Sequence, residues 1–224
     1  AVDRAVGRPQ SLQARTASDA RTPPPFRPLP PVRRFRPAAR IPSNPGDPLL
    51  YLRVLGGLVL EEDGAALTGR AAQKRRLALL ALLAAAPGRS LTRDRITGMI
   101  WPEREDEQAR HLLSVATYEI RKELGAEVVA TRGDDVVLDP LLLGSDLADF
   151  EAAVAAGDLD GALALYRGPF LDGFFVTDAP EFERWVDEER ARLSRMAVGS
   201  AFALAELAVG ANEEIMSLPG RPAR

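Results

Sequence analysis

An α+β domain followed by an all-α helical region, behind an arm that builds no core, is the fold class this sequence predicts. Three observations carry it. Glycine-punctuated, β-branched runs bracket three helical stretches between residues 49 and 140. From Asp146 onward no strand pattern returns, and apolar residues recur at helical spacing. Before residue 49 prolines dominate, and each one removes a backbone donor.

Residues 1–48 hold 11 of the chain's 18 prolines, and their few apolar side chains have no period. Such a segment buries too little to offset its ordering entropy, so it is expected to be a disordered arm. Its nine arginines against three carboxylates give it a weak pull on a polyanion; an inert tail is the other reading.

From residue 49, "LLYLRVLGGLVLEEDGAALT" reads as short strands, with Leu50, Leu52 and Val54 alternating and Gly56-Gly57 and Asp63-Gly64 as breaks. "GRAAQKRRLALLALLAAAPG" predicts a first helix stopped at Pro87-Gly88. In "SLTRDRITGMIWP" Thr92 can cap a second helix and Pro102 ends it. The third, "DEQARHLLSVATYEIRKELG", spans residues 106–125, with Leu113, Ile120 and Leu124 as its inward stripe. That stripe can meet Leu80, Leu83, Ile96, Ile100 and Trp101. "EVVATRGDDVVLD" then reads as a hairpin turning at Gly133-Asp134-Asp135.

Beyond Asp146 the chain is acidic, with about fifteen carboxylates against seven basic residues. "DLADFEAAVAAGDLDGALALYRG" predicts two short helices broken at Gly157-Asp158. A long helix starts near Pro180, with Phe182, Val186, Leu193, Met196, Leu204 and Leu207 approximating a stripe. Residues 211–224 read as a disordered tail.

Composition narrows function. The formal net charge of −3 gives no global sign of a nucleic-acid binder, so that case rests on local pattern. The chain has no cysteine and one histidine, which removes disulfides, thiol nucleophiles and cysteine-ligated zinc, and argues against a histidine-based metal site or triad. No enzymatic activity, metal or cofactor is expected. "GAALTGRA" has phosphate-loop spacing, but Arg70 and Ala71 stand where Lys and Ser/Thr are needed. The apolar run at residues 77–86 is shorter than the roughly 20 residues a bilayer needs. No membrane association is expected, and a cytoplasmic location follows as the default.

Three helices followed by a hairpin are the parts of a winged helix-turn-helix, whose third helix enters the major groove of DNA while the hairpin reaches the backbone. The third helix presents Gln108, His111, Ser114, Val115, Tyr118, Arg121 and Lys122 away from its apolar stripe. Arg110, Arg121, Lys122 and Arg132 at the wing turn are the candidate phosphate contacts, with Lys74, Arg75 and Arg76 as further candidates. Residues 49–145 are nearly neutral, about thirteen basic against fourteen acidic, so an interaction module with a degenerate winged helix stays open as the alternative.

The stretch from "LRVLGGLVLEEDG" through "IWP", "ARH" and "YEIRKELG" to "YRGPFLDGF" and "APEFERW" resembles the SARP-type transcriptional activators. The resemblance covers about residues 50–209. It implies an OmpR-type winged helix-turn-helix at residues 49–140, joined to a partial bacterial transcriptional activator domain of tetratricopeptide-like helices at residues 146–210. It also implies sequence-specific binding of double-stranded DNA and contact with RNA polymerase. The recognition helix maps to Ala109–Leu124 and the wing arginine to Arg132. Two positions depart from the family: Thr117 stands at a usually apolar place, and Glu119 where OmpR-type relatives often carry a base. The pattern is lost after Gly210, so the activator domain is expected to be truncated there, with no nucleotide-binding domain after it. The apolar "MAVGSAFALAEL" is then expected to fray or to pair two copies of the chain through residues 180–209.

Overall fold

The structure, a computed structural model, describes residues 50–217, with side chains through residue 210. The arm expected over residues 1–48, and residues 218–224 of the tail, lie outside the described residues.

Strands β1 (Leu50–Arg53), β2 (Val59–Glu62) and β3 (Ala65–Ala66) form an antiparallel meander. Helix α1 (Lys74–Ala85) follows, and every residue from Ala78 to Ala84 is buried. A helix apolar on all sides must sit at the centre of its domain. α1 does so, packing on α2 (Arg93–Ile100), α3 (Asp106–Leu124) and a helix of the C-terminal region. Thr92 caps α2, its side chain accepting the Arg95 N–H at 3.3 Å. Trp101 is buried, as expected of a residue that meets the inward stripe of α3.

The hairpin is present. β5 (Val129–Arg132) pairs with β6 (Asp135–Leu138), and Arg132 opposite Asp135 leaves Gly133 and Asp134 as the turn. Gly133 takes a φ of +62°, which a side chain would disfavour. β6 also pairs with β4 (Ser90–Thr92), which precedes α2. The first N–H of α2, on Arg93, donates to the Asp134 carbonyl at 3.0 Å. The wing turn is thereby fixed to the start of α2.

A strand not apparent in the sequence, β7 (Leu143–Ser145), pairs in parallel with β1 and completes a sheet of order β3-β2-β1-β7. Ser145 then caps α4 (Asp146–Ala156), accepting the Ala148 N–H at 3.2 Å. Asp158 caps α5 (Leu159–Leu165) in the same way, so the break at Gly157-Asp158 is one C-cap meeting one N-cap. α6 (Pro180–Ser217) is the long helix. Its Phe182, Val186 and Leu193 are buried, Met196 and Leu204 are half-buried, and Leu207 is exposed.

α6 corrects the boundary read at residue 210. Its backbone continues to Ser217, because "ANEEIMS" contains no breaker and one interior glycine costs a helix only about 1 kcal/mol. Residues 180–210 of α6 are also long and apolar enough, by length and composition only, to cross a membrane.

The segment between α5 and α6 seats the helical region on the first sheet. Leu171 N–H donates to Val54 O at 2.8 Å, and Gly56 N–H to Pro169 O at 3.1 Å. A Cβ on Gly56 would lie 3.1 Å from the Arg167 carbonyl carbon, so this approach requires glycine. Arg190 of α6 donates to Phe170 O and Leu171 O at 2.8 and 2.9 Å, and Trp185 packs edge-on against Phe170. One continuous apolar core runs from β1 through α1 to α6.

Candidate nucleic-acid interface

α3 presents two faces. Ala109, Leu113, Ala116, Thr117 and Ile120 point into the core. Gln108, Arg110, His111, Ser114, Val115, Tyr118 and Lys122 are exposed, Tyr118 at 60%. At 100° per residue, Gln108, His111, Val115, Tyr118 and Lys122 fall within about 80° of one another. They form a stripe opposite the buried one, along nearly the whole helix. A cavity of about 540 Å³ lined by Arg104, Glu107, Gln108, His111 and Leu112 opens at its N-terminal end.

The candidate cations divide. Lys122 and Arg132 are exposed and enter no ion pair among the described residues. Arg110 is exposed but pairs with Asp94 of α2 at 3.0 Å, and that hydrogen bond raises its pKa, with Asp106 and Asp134 adding to the effect. Ser114 donates to the Arg110 carbonyl at 2.9 Å.

Arg121 differs from its neighbours. Its Nε donates to Val129 O at 2.5 Å and its Nη2 to Thr131 Oγ1 at 3.0 Å, so the side chain lies across β5 of the wing. The three cations of α1 are also engaged. Lys74 Nζ sits 3.6 Å above the Phe175 ring. Arg75 pairs with Glu103 at 2.8 Å and donates to Thr177 O at 3.2 Å. Arg76 donates to Arg70 O at 2.6 Å. These six neighbours were not legible in the sequence, since all lie in other elements or loops. Arg95 and Arg104 are further exposed cations not among the expected contacts; the place of Arg95 in the first turn of α2, beside the wing turn, is the local signal for it.

Both departures from the family pattern face inward. Thr117 is buried and donates to Leu113 O and Ser114 O, each at 3.0 Å. Glu119 is buried and pairs with Arg70 at 3.1 Å, so it lies off the exposed stripe. Four residues on, Glu123 accepts the N–H groups of Arg70 and Ala71. The loop with phosphate-like spacing therefore binds an anion of this chain, the Glu123 carboxylate.

Comparison with known proteins agrees with this architecture. The family "Transcriptional regulatory protein, C terminal" matches residues 70–133, and "Bacterial transcriptional activator domain" matches residues 144–218. The second match runs past Gly210, where the sequence pattern was read as ending. A solved structure, Mycobacterium tuberculosis EmbR in complex with a low affinity phosphopeptide, is similar with a TM-score of 0.51 and 24% identity over 75% of this chain. The chain spans 50% of that protein's length, and the likeness is one of fold. No curated protein matches.

A winged helix joined to bacterial activator helices defines a transcriptional regulator. The order of the two matched domains, an OmpR-type winged helix-turn-helix followed by a tetratricopeptide-like activator region, is that of the SARP type.

Proposed function

We propose that this regulator binds double-stranded DNA sequence-specifically, with α3 in the major groove and the β5–β6 wing against the adjacent backbone. The observation that carries the reading is the exposed stripe of Gln108, His111, Val115, Tyr118 and Lys122, flanked by a wing whose turn presents Arg132. Amide, imidazole and phenol groups suit base edges, Val115 suits a thymine methyl, and Lys122 and Arg132 suit phosphates. Arg95 and Arg110 flank the same surface. The α4–α6 region is the surface for RNA polymerase or for a second copy of the chain. A cytoplasmic location accords with this reading.

Two to four phosphate contacts imply a slope of log affinity against log salt of roughly −2 to −4. Anisotropy titrations of a labelled duplex from low to physiological salt measure it. Binding absent at low salt, or indifferent to salt, refutes the reading in favour of a protein-interaction module. That second reading draws on one observation: Arg75, Arg76 and Arg121 spend their donors inside the protein.

A further inference from the structure

The exposed stripe of α3 reads a particular sequence only if the helix is held at one rotation about its axis. The buried apolar face interdigitates with the core and fixes α3 in place. Directional polar contacts on both flanks add to that hold. Relative to Glu119, Glu123 lies about 40° around the helix and Arg121 about 200°. Arg121 is thus diametrically opposite the midpoint of the two acids. The acids hold the loop at Arg70 and Ala71 on one side. Arg121 holds Val129 O and Thr131 Oγ1 of the wing on the other. Rolling α3 in either direction stretches one set of these bonds.

We infer that Arg121 is a positioning residue, which locks the roll of α3 and the approach of the wing together, and that it is not a phosphate contact. The inference rests on the DNA-binding reading for its functional half, but its structural half concerns the free protein. A guanidinium suits the task because Nε and Nη2 donate in fixed, divergent directions, which an ammonium on a flexible stem does not reproduce. The bond to a strand carbonyl also gives β5 an anchor on the side away from β6, its partner in the ladder.

The test uses the full chain and two variants that break the contact, Arg121→Lys and Thr131→Val, with Arg121→Gln as the control for charge. Lysine keeps the charge and loses the fork; valine removes the hydroxyl acceptor and leaves Arg121 in place. Hydrogen exchange on the free protein should show faster exchange at residues 129–132 in both variants, with the melting of the remaining fold little changed. On a duplex selected for binding, Arg121→Lys should lose affinity about tenfold, the worth of one displaced base contact. Its salt slope should equal the wild type's, and Thr131→Val should show the same pattern more weakly. Exchange at the wing unchanged in both variants overturns the inference. So does an Arg121→Lys protein that binds like wild type while Arg121→Gln has a slope shallower by about one unit, the mark of a phosphate contact. If the wild-type chain binds no duplex at all, the DNA-binding reading fails, and the exchange data alone decide whether Arg121 holds the wing.

Discussion

Asp146, the first residue of α4, accepts the backbone N–H of Val54 at 2.8 Å and of Leu55 at 3.1 Å. One carboxylate thus joins the end of β1 to the start of the activator helices, about ninety residues later in the chain. Burial pushes its pKa up from 3.8 to about 6, against the pull of the Val54, Leu55 and Leu147 amides and of Arg53. Because the folded value lies above the unfolded one, the native state holds the extra proton between about pH 4 and 6. Stability from this group is therefore full below pH 4 and is lost as pH rises through 6. Urea melts of the wild type and Asp146→Asn should show the wild type losing ground to the variant across that window, by on the order of 3 kcal/mol at most. An advantage of the wild type that grows with pH would mean the amide bonds outweigh burial.

Thr117 offers a second prediction. Its hydroxyl is buried and, among the described residues, bonds only to carbonyls of its own helix, Leu113 and Ser114. Such back-bonding slightly weakens a helix, and a methyl at the same place would meet the core. Thr117→Val should raise stability by about 0.5 kcal/mol in urea melts. A loss of stability would show that the hydroxyl fixes a bend α3 needs.

How far the sequence foretold these sites depends on the distance over which each signal acts. α1, α3 and the wing hairpin were legible because apolar period, caps and a glycine turn are local. The start of α6 at Pro180 was legible for the same reason. β7 was not: "LGS" has no alternation to display, and its partner β1 lies some ninety residues away. The outward face of α3 followed from helical geometry, and the structure exposes Gln108, His111, Ser114, Val115, Tyr118 and Lys122 as expected, while Arg121, expected on the same face, is half-buried. The bonding of Arg121, Arg75 and Arg76 did not follow, because a cation's partner is a tertiary fact. Glu119, at a place where OmpR-type relatives often carry a base, is buried against Arg70, and that partner too is set by tertiary packing.

Grip and specificity should separate on α3. Lys122 has no ion pair among the described residues and, at the C-terminal end of the stripe, is the candidate phosphate contact of α3. Lys122→Ala should weaken all duplexes alike and make the salt slope shallower by about one unit. His111→Ala and Tyr118→Ala should cost about 1–3 kcal/mol on a selected duplex and little on random DNA. Parallel anisotropy titrations on both DNAs decide it. Equal losses for all three variants would mean that α3 does not lie in the groove.

The C-terminal half of α6 carries the last prediction. Leu193 and Ala197 are buried, but beyond them Phe202 is 69% exposed, Leu207 65% and Val209 58%. Between Ala197 and Gly210 the only charge is Glu206. Water disfavours such a surface by roughly 25 cal/mol per Å² of apolar area left uncovered, so a second α6 laid against it is stabilising. We expect this chain to self-associate through this segment. Phe202 and Leu207 are the positions to change, because Leu204 is half-buried and its loss would also disturb the fold. The Phe202→Glu, Leu207→Glu double variant should sediment as a monomer and keep the per-protomer affinity of the winged helix for duplex DNA. A wild-type chain that already sediments as a monomer at micromolar concentration, with α6 amides protected through residue 209, would sink the idea.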